Sequence, residues 1–237
     1  MSFLILVRHG QSTWNLENRF TGWVDVDLTK NGKLEAEKAG LLIKEKKIEI
    51  DFYYSSLLLR ANKTLEIIQN VLNDKKKFIK AWQLNERHYG SLTGLNKAEM
   101  AKKIGEDKVH EFRRSWDIKP QALEKDSSYH PVNINTYKEI SREVIPDTES
   151  LKDTYFRVLK YFEEEIKEKL IDKNILISAH GNSIRALCKY LFEIDNKQIS
   201  LLEIPTGNPL LIELGNGLKI LNCEYLDKVR AKDLLVF

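Results

Sequence analysis

The stretch Phe3-Leu4-Ile5-Leu6-Val7-Arg8-His9-Gly10-Gln11-Ser12-Thr13 decides how this chain is read. Five apolar residues run without a polar break and are followed at once by a cation, an imidazole and a glycine. An unbroken apolar run of that length predicts a strand covered on both faces, as strands of a parallel sheet are. In open sheets of that kind ligands bind beyond the carboxyl ends of the strands. Arg8 and His9 are therefore expected at the rim of a rigid element, where chemistry is placed. The same device recurs near the other end of the chain. Asn174 to Ile177 predicts a second buried strand, and Ser178-Ala179-His180-Gly181 follows it.

Between these two strands the pattern alternates. A polar, turn-rich loop runs to about Leu28, and Thr29 is suited to cap a helix in which Leu34, Leu41 and Leu42 form an apolar stripe. Asp51 to Tyr54 predicts a short strand. Ser55 or Ser56 is expected to cap the next helix, with Leu57, Ala61, Thr64, Leu65, Ile68 and Leu72 along one face. A strand is expected at Phe78 to Ala81. Residues 83–146 are the least regular part, punctuated by Pro120, Pro131 and Pro146, with short helices expected at Lys97–Ile104 and Asp107–Trp116. An aperiodic insertion of that size reads as a functional cap or a disordered loop. Leu151, Tyr155, Val158, Phe162, Ile166 and Leu170 then mark a long amphipathic helix. After the second His-Gly pair, Ile184, Leu187, Leu191 and Phe192 predict a helix on the sheet. Strands at Pro209–Leu214 and Leu218–Tyr225 are joined by a Gly215-Asn216-Gly217 turn. The expected fold is α/β: a mainly parallel central sheet flanked by helices on both faces, forming a single domain over residues 1–237 with an irregular cap insertion at about 83–146.

The 237 residues carry a net charge of only +3, which argues against bulk nucleic-acid or membrane binding. No apolar run reaches the roughly 20 residues of a membrane span, and the N-terminus enters a strand without a leader pattern. A cytoplasmic protein is expected. Cys188 and Cys223 lack metal-type spacing and are read as reduced structural thiols.

Two histidines at the same end of two parallel strands can face each other over one pocket. A neutral imidazole is a competent nucleophile near neutral pH. There is no H-E-x-x-H, no cysteine cluster and no carboxylate triad beside them, so no metal is expected. Cations point instead to an anionic substrate: Arg8 adjoins His9, Arg60 lies on the helix after the second strand, and Arg113 and Arg114 sit together in the insertion. Guanidinium groups pair with the planar oxygens of phosphate and carboxylate. Arg19, Arg142 and Arg157 receive no role, and His88, His110 and His130 are read as ordinary core or surface residues.

LVRHGQSTWNLENRFTGWVDVDLT, NERHYGSLTGLNKAE, AHGNSIRAL and IPTGNPL stand in this order along the chain. From about Leu4 to Tyr225 the sequence resembles the cofactor-dependent phosphoglycerate mutases of the histidine phosphatase superfamily. The resemblance implies the interconversion of 2-phosphoglycerate and 3-phosphoglycerate in glycolysis and gluconeogenesis. It implies 2,3-bisphosphoglycerate as the priming phosphoryl donor, no metal, and a homodimer or homotetramer. His9 would be the nucleophile, and Arg8, Asn15, Arg60 and His180 would surround the phosphoryl group in transit. Glu86 would be the acid and base. Tyr89, Lys97, Arg113 and Arg114 would contact the carboxylate and distal phosphate, with Thr21 and Gly22 as a carboxylate-binding turn. Gly181 and Asn182 would offer backbone N–H groups where a helix begins. His180 would act best as a charged donor and His9 as a neutral nucleophile, so the two pKa values are expected to be separated.

Two departures stand out. Gln11 occupies a position where many members carry Glu, which is expected only to tune affinity or rate. The segment Ala231 to Phe237 is shorter than the mobile tail of many members, and water exclusion depends on such closure. The stretch 121–141 matches loosely. A hydrolase of the same fold and a non-catalytic phospholigand binder are the competing readings. The second anion pocket argues against the first, and the joint presence of His9, Glu86 and His180 against the second.

Overall fold

The computed structural model describes residues 1–234 of the chain. Leu235, Val236 and Phe237, part of the terminal segment noted above, lie outside the described residues. The chain opens with strand β1 (Ser2–Arg8) and a short helix α1 (Thr13–Leu16), followed by helix α2 (Lys30–Glu45). Strand β2 (Phe52–Ser55), helix α3 (Leu59–Leu72) and the two-residue edge strand β3 (Ile79–Lys80) come next. Helices α4 (Lys97–Ile104) and α5 (Glu106–Arg114) belong to the insertion. Helix α6 (Leu151–Tyr161), strand β4 (Ile175–Ala179), helix α7 (Gly181–Leu191) and the hairpin β5 (Leu210–Leu214) and β6 (Ile220–Tyr225) complete the order.

The six strands form one sheet in the order β3-β2-β4-β1-β5-β6. β3, β2, β4 and β1 pair in parallel, and β5 alone runs against its neighbours. The alternation of side chains across each strand explains why β1 is apolar throughout. Leu4 and Leu6 pack with Ile175 and Ile177 against α6 and α7 on one face. Ile5 and Val7 pack with Tyr53 and Leu176 against α2 and α3 on the other. All four β1 residues are at most 1% exposed, and each such burial contributes on the order of 1.5–3 kcal/mol.

The connections leaving β1 and β4 diverge. The chain after β1 reaches α2 on one face, and the chain after β4 enters α7 on the other. Adjacent parallel strands whose connections part in this way leave a crevice beyond their carboxyl ends. His9 and His180 stand at its floor. The crevice also depends on a glycine contact: a Cβ on Gly10 would lie 2.1 Å from the Gly32 carbonyl oxygen, so only glycine lets this loop rest on the first turn of α2.

Local expectations hold unevenly. Thr29 caps α2 by accepting from Gly32 N–H at 3.0 Å. The buried face of α2, however, is Gly32, Ala36, Ala39, Gly40 and Ile43, while Leu34 and Leu41 are each 54% exposed. Small residues win here because α2 approaches α3 closely; a Cβ on Gly40 would meet Val71 at 2.8 Å. The N-cap of α3 is Leu58, not Ser55 or Ser56, and it makes no side-chain cap bond. The final strand begins at Ile220, not Leu218, because Asn216 to Leu218 form a turn.

The insertion is ordered by two small clusters. Phe20, Tyr89, Leu92 and Val109 tie α4 and α5 to the loop after β1. Trp23, Leu58, Tyr137 and Ile145 tie its later part to the same loop, and Tyr137 donates its hydroxyl to the Trp23 carbonyl. The loosely matched stretch 121–141 is thereby anchored beside the crevice.

Candidate active site

β1 and β4 pair in register at Arg8 and Ala179, and His9 N–H continues the ladder to the Ala179 carbonyl at 3.0 Å. The residues that follow each strand are thus brought to the same level. The His9 and His180 rings lie 5.0 Å apart between centroids, inclined at 60°. His9 Nδ1 is 2.7 Å from the Gly10 carbonyl oxygen, which can only accept, so Nδ1 carries the proton. Nε2 then keeps its lone pair and accepts from Arg60 Nε at 3.2 Å. Arg60 is 1% exposed; it also donates Nη1 to Val24 O at 2.9 Å and Nη2 to Gly22 O at 2.8 Å. One guanidinium therefore fixes both the ring and the loop that walls the pocket.

Burial pushes the His9 pKa well below its ordinary value, and the charges of Arg60 and Arg8 push it further. His180 moves the same way, by burial first and then through Arg60, His9 and Arg8. Both rings are held neutral, because both sit in the same dry, cationic environment. His180 Nε2 is 2.7 Å from Ser56 Oγ, and its Nδ1 has no hydrogen-bond partner. Sequence reasoning placed Ser56 at a helix cap and missed this contact.

Glu86 is 9% exposed. Its Oε1 accepts from Arg87 N at 2.7 Å, Asn182 Nδ2 at 2.8 Å and Asn182 N at 3.2 Å. A Cβ on Gly181 would lie 3.7 Å from Oε2. Asn182 Nδ2 also reaches the Tyr89 hydroxyl at 3.2 Å. Gly181 and Asn182 open α7, so its N-terminal end faces this carboxyl group.

Two cavities meet here and share Arg8, Glu86, Tyr89 and Arg113 as walls. The inner one, about 80 Å3, is completed by His9, Asn15, Thr21, Gly22, Arg60 and Lys97. The outer one, about 200 Å3, is completed by Arg114, Gly181, Asn182 and residues near the chain end. Every residue expected at the site other than the fully buried His180 lines one or both. Asn15 accepts from Ser12 N at 3.1 Å, which fixes its carboxamide at the chamber wall. Gly22 holds φ +55°, a conformation suited to glycine. Lys97 donates to Arg19 O at 2.8 Å, and its pKa is lowered to about 8 by burial, then by Arg113 and Arg8. Arg114 donates to Leu202 O at 3.2 Å and Glu203 Oε1 at 3.0 Å.

Three further cations line these chambers. Arg19, given no role from the sequence, borders the inner one. Arg185 and Lys232 border the outer one, and Lys232 pairs with Glu203 at 3.6 Å. Arg185 donates Nη1 to Asn182 Oδ1 at 2.9 Å, and burial with Arg114 and Arg87 lowers its pKa to about 9. The position of Arg185 on a helix opening at His180 was the available signal. Gln11 does not face either chamber: its Oε1 accepts from Thr29 Oγ1 at 2.9 Å. His88 and His130 are buried core residues and His110 is exposed, in line with the ordinary reading. Cys188 and Cys223 are unbridged. Among the described residues no group of three or more His, Cys, Asp or Glu could hold a metal ion, and no helix is long and apolar enough to cross a membrane.

The strand-borne histidine pair, the guanidiniums and the fold agree with a family profile, "Histidine phosphatase superfamily (branch 1)", that matches residues 4–133 and 124–222. The chain belongs to that superfamily. Solved structures share the fold at low identity. A mycobacterial glucosyl-3-phosphoglycerate phosphatase aligns with TM-score 0.68 and 20% identity, covering 95% of this chain and 97% of its own. A putative alpha-ribazole-5'-P phosphatase from Escherichia coli aligns with TM-score 0.69 and 17% identity, covering 94% and 97%. Sequence relatives narrow the class. The 2,3-bisphosphoglycerate-dependent phosphoglycerate mutase of Pelagibacter ubique is 69% identical over 238 residues, spanning 100% of both chains. The enzyme of that name from Staphylococcus saprophyticus is 48% identical, covering 95% of this chain and all of its own. Its namesake in Borreliella burgdorferi is 49% identical, covering 94% and 91%. Within the superfamily, the chain belongs to the 2,3-bisphosphoglycerate-dependent phosphoglycerate mutases.

Proposed function

We propose that this chain interconverts 2-phosphoglycerate and 3-phosphoglycerate through phosphorylation of His9 Nε2, primed by 2,3-bisphosphoglycerate. The observation that supports it most is a nucleophilic imidazole with an unprotonated Nε2, which accepts from a buried guanidinium at 3.2 Å, in a chamber joined to a second cationic chamber. A bisphosphoglycerate carries roughly −4 to −5 near neutral pH, so it needs cations at both ends. Arg8, Arg60 and Lys97 on the inner side and Arg114 and Arg185 on the outer side suit that charge. The bound bisphosphate supplies the first phosphoryl group.

His9 Nε2 attacks phosphorus and the P–O bond to the departing alkoxide breaks. Glu86 delivers a proton to that oxygen. Arg8, Arg60, Asn15 and Nδ1 of His180 meet the equatorial oxygens as charge moves onto them. In the other half of the cycle the free hydroxyl of a bound monophosphoglycerate attacks phospho-His9, the P–N bond breaks and Glu86 takes the hydroxyl proton; the bisphosphate so formed turns over and returns its other phosphate to His9. Thr21, Gly22, Tyr89, Arg113, Gly181 and Asn182 hold the ligand so that it turns over without leaving. The neutral state of both rings fits the first half of this sequence: an arriving phosphate dianion offsets the guanidinium charge and lets His180 take a proton. On this reading the enzyme serves glycolysis and gluconeogenesis in the cytoplasm as a homodimer or homotetramer, which light scattering would check.

The test is conversion of 3-phosphoglycerate with and without added 2,3-bisphosphoglycerate, in the presence of EDTA. Priming by the bisphosphate and indifference to the chelator are expected. Release of inorganic phosphate faster than isomerisation would replace the mutase by a hydrolase of the same fold.

A further inference from the structure

Residues 85–89, which carry Glu86, are neither helix nor strand, yet Asn85, Arg87 and His88 are fully buried and Glu86 nearly so. Buried backbone groups need partners. Here they come from Glu149, just before the Ser150 cap of α6, and from Arg157, in the middle of that helix. Arg157 donates Nη1 to Gln83 O at 2.6 Å and Asn85 O at 3.0 Å, and Nη2 to Glu86 O at 2.9 Å. Its remaining donors, Nε and Nη2, form a two-pronged pair with Glu149 at 2.6 and 2.8 Å. All five N–H bonds of the guanidinium are thereby used. Glu149 Oε2 also accepts from His88 N at 2.8 Å, and Glu149 N–H donates to His88 O at 2.9 Å. The two residues thus grip the segment on both sides of Glu86.

We propose that the Arg157–Glu149 pair is a positioning device for Glu86, which sets its carboxyl group within reach of the oxygen that gains or loses a proton. The inference rests on Glu86 being the acid and base. Asn182 and Arg87 N–H fix one carboxylate oxygen, while Arg157 and Glu149 fix the backbone from which the side chain springs. Neither residue touches the chambers, so their effect passes through Glu86. An ångström of drift in such a group costs far more in proton transfer than in binding.

The test separates donors by their need for a proton. An alkoxide leaving from 2,3-bisphosphoglycerate requires one; the carboxylate leaving from acetyl phosphate does not. His9 labelling from acetyl phosphate and mutase turnover are measured for wild type, Arg157→Met, Arg157→Lys and Glu86→Gln. Arg157→Met is expected to lower kcat by about 10- to 100-fold with KM within about twofold, while labelling stays near wild type. Glu86→Gln should give the same split. Arg157→Lys, with three donors in place of five, should recover part of the loss and serves if Arg157→Met does not fold. Equal loss of turnover and labelling, or no loss at all, overturns the inference. An impaired Glu86→Gln beside an intact Arg157→Met overturns it alone. A Glu86→Gln enzyme that turns over normally overturns the assignment of Glu86 and this inference with it.

Discussion

Arg60 Nε stands 3.2 Å from His9 Nε2, and the same guanidinium holds the Gly22 and Val24 carbonyls. A cation that sits on a nucleophile's lone pair keeps the ring neutral and waits beside the place where phosphoryl oxygens will gather.

Replacing Arg60 by Met should therefore act on chemistry and on titration together. The kcat is expected to fall by about 10²- to 10³-fold, the range for losing one strong transition-state donor. The His9 pKa should rise, because the second-largest cause of its depression is removed. Stopped-flow turnover and histidine NMR titration of the same variant check both; a fall in kcat with an unmoved His9 titration would contradict the pairing.

Acid should weaken the ligand-free fold early. His9, His180 and His88 all have folded pKa values below 6.5, with His88 at about 3, so below pH 6.5 the unfolded chain binds protons that the folded one refuses. Stability present above that pH is lost as the pH falls, at up to about 1.4 kcal/mol per pH unit for each such group. Thermal melts between about pH 7 and about pH 5 should show a steep drop in Tm, reduced by inorganic phosphate, which favours protonated rings in the folded site.

Substrate binding should weaken in mild alkali. Lys97 loses its proton near pH 8 where an ordinary lysine keeps it to 10.5. The KM for 3-phosphoglycerate is expected to rise above pH 8 while kcat changes less, and Lys97→Met should have a raised KM without that alkaline limb.

Ser56→Ala leaves His180 Nε2 and Leu58 N–H without their shared partner. A stability loss of about 1–3 kcal/mol is expected from the orphaned groups, with kcat down by about tenfold as the ring loses its orientation. Urea unfolding and turnover measured on one preparation would test it; wild-type values in both would dismiss the contact.

Gln11→Glu should be close to silent. The side chain accepts from Thr29 Oγ1 and borders neither chamber, and a carboxylate accepts the same bond. Values of kcat and KM within about twofold of wild type are expected.

Much of this molecule was settled by the order of its residues. Apolar runs at residues 3–7 and 175–177 can be covered only on two faces, so the parallel pair, the two flanking layers and the placing of His9 and His180 at one rim follow from local pattern. The aligned motifs likewise marked Glu86, Lys97 and the Arg113–Arg114 pair. Tertiary contact decided the rest. The α2 stripe went to Ala36, Ala39 and Gly40 over Leu34 and Leu41, because closeness to α3 is set by the partner's shape and leaves no trace in periodicity. Ser56 looked like a cap until β4 brought His180 to within 2.7 Å of it. Arg157 looked like a surface charge, since nothing in a sequence reveals that bare carbonyls at residues 83, 85 and 86 will be folded against it. The common protonation state of the two histidines belongs to the same class, because desolvation and guanidinium fields arise only once distant segments close around them.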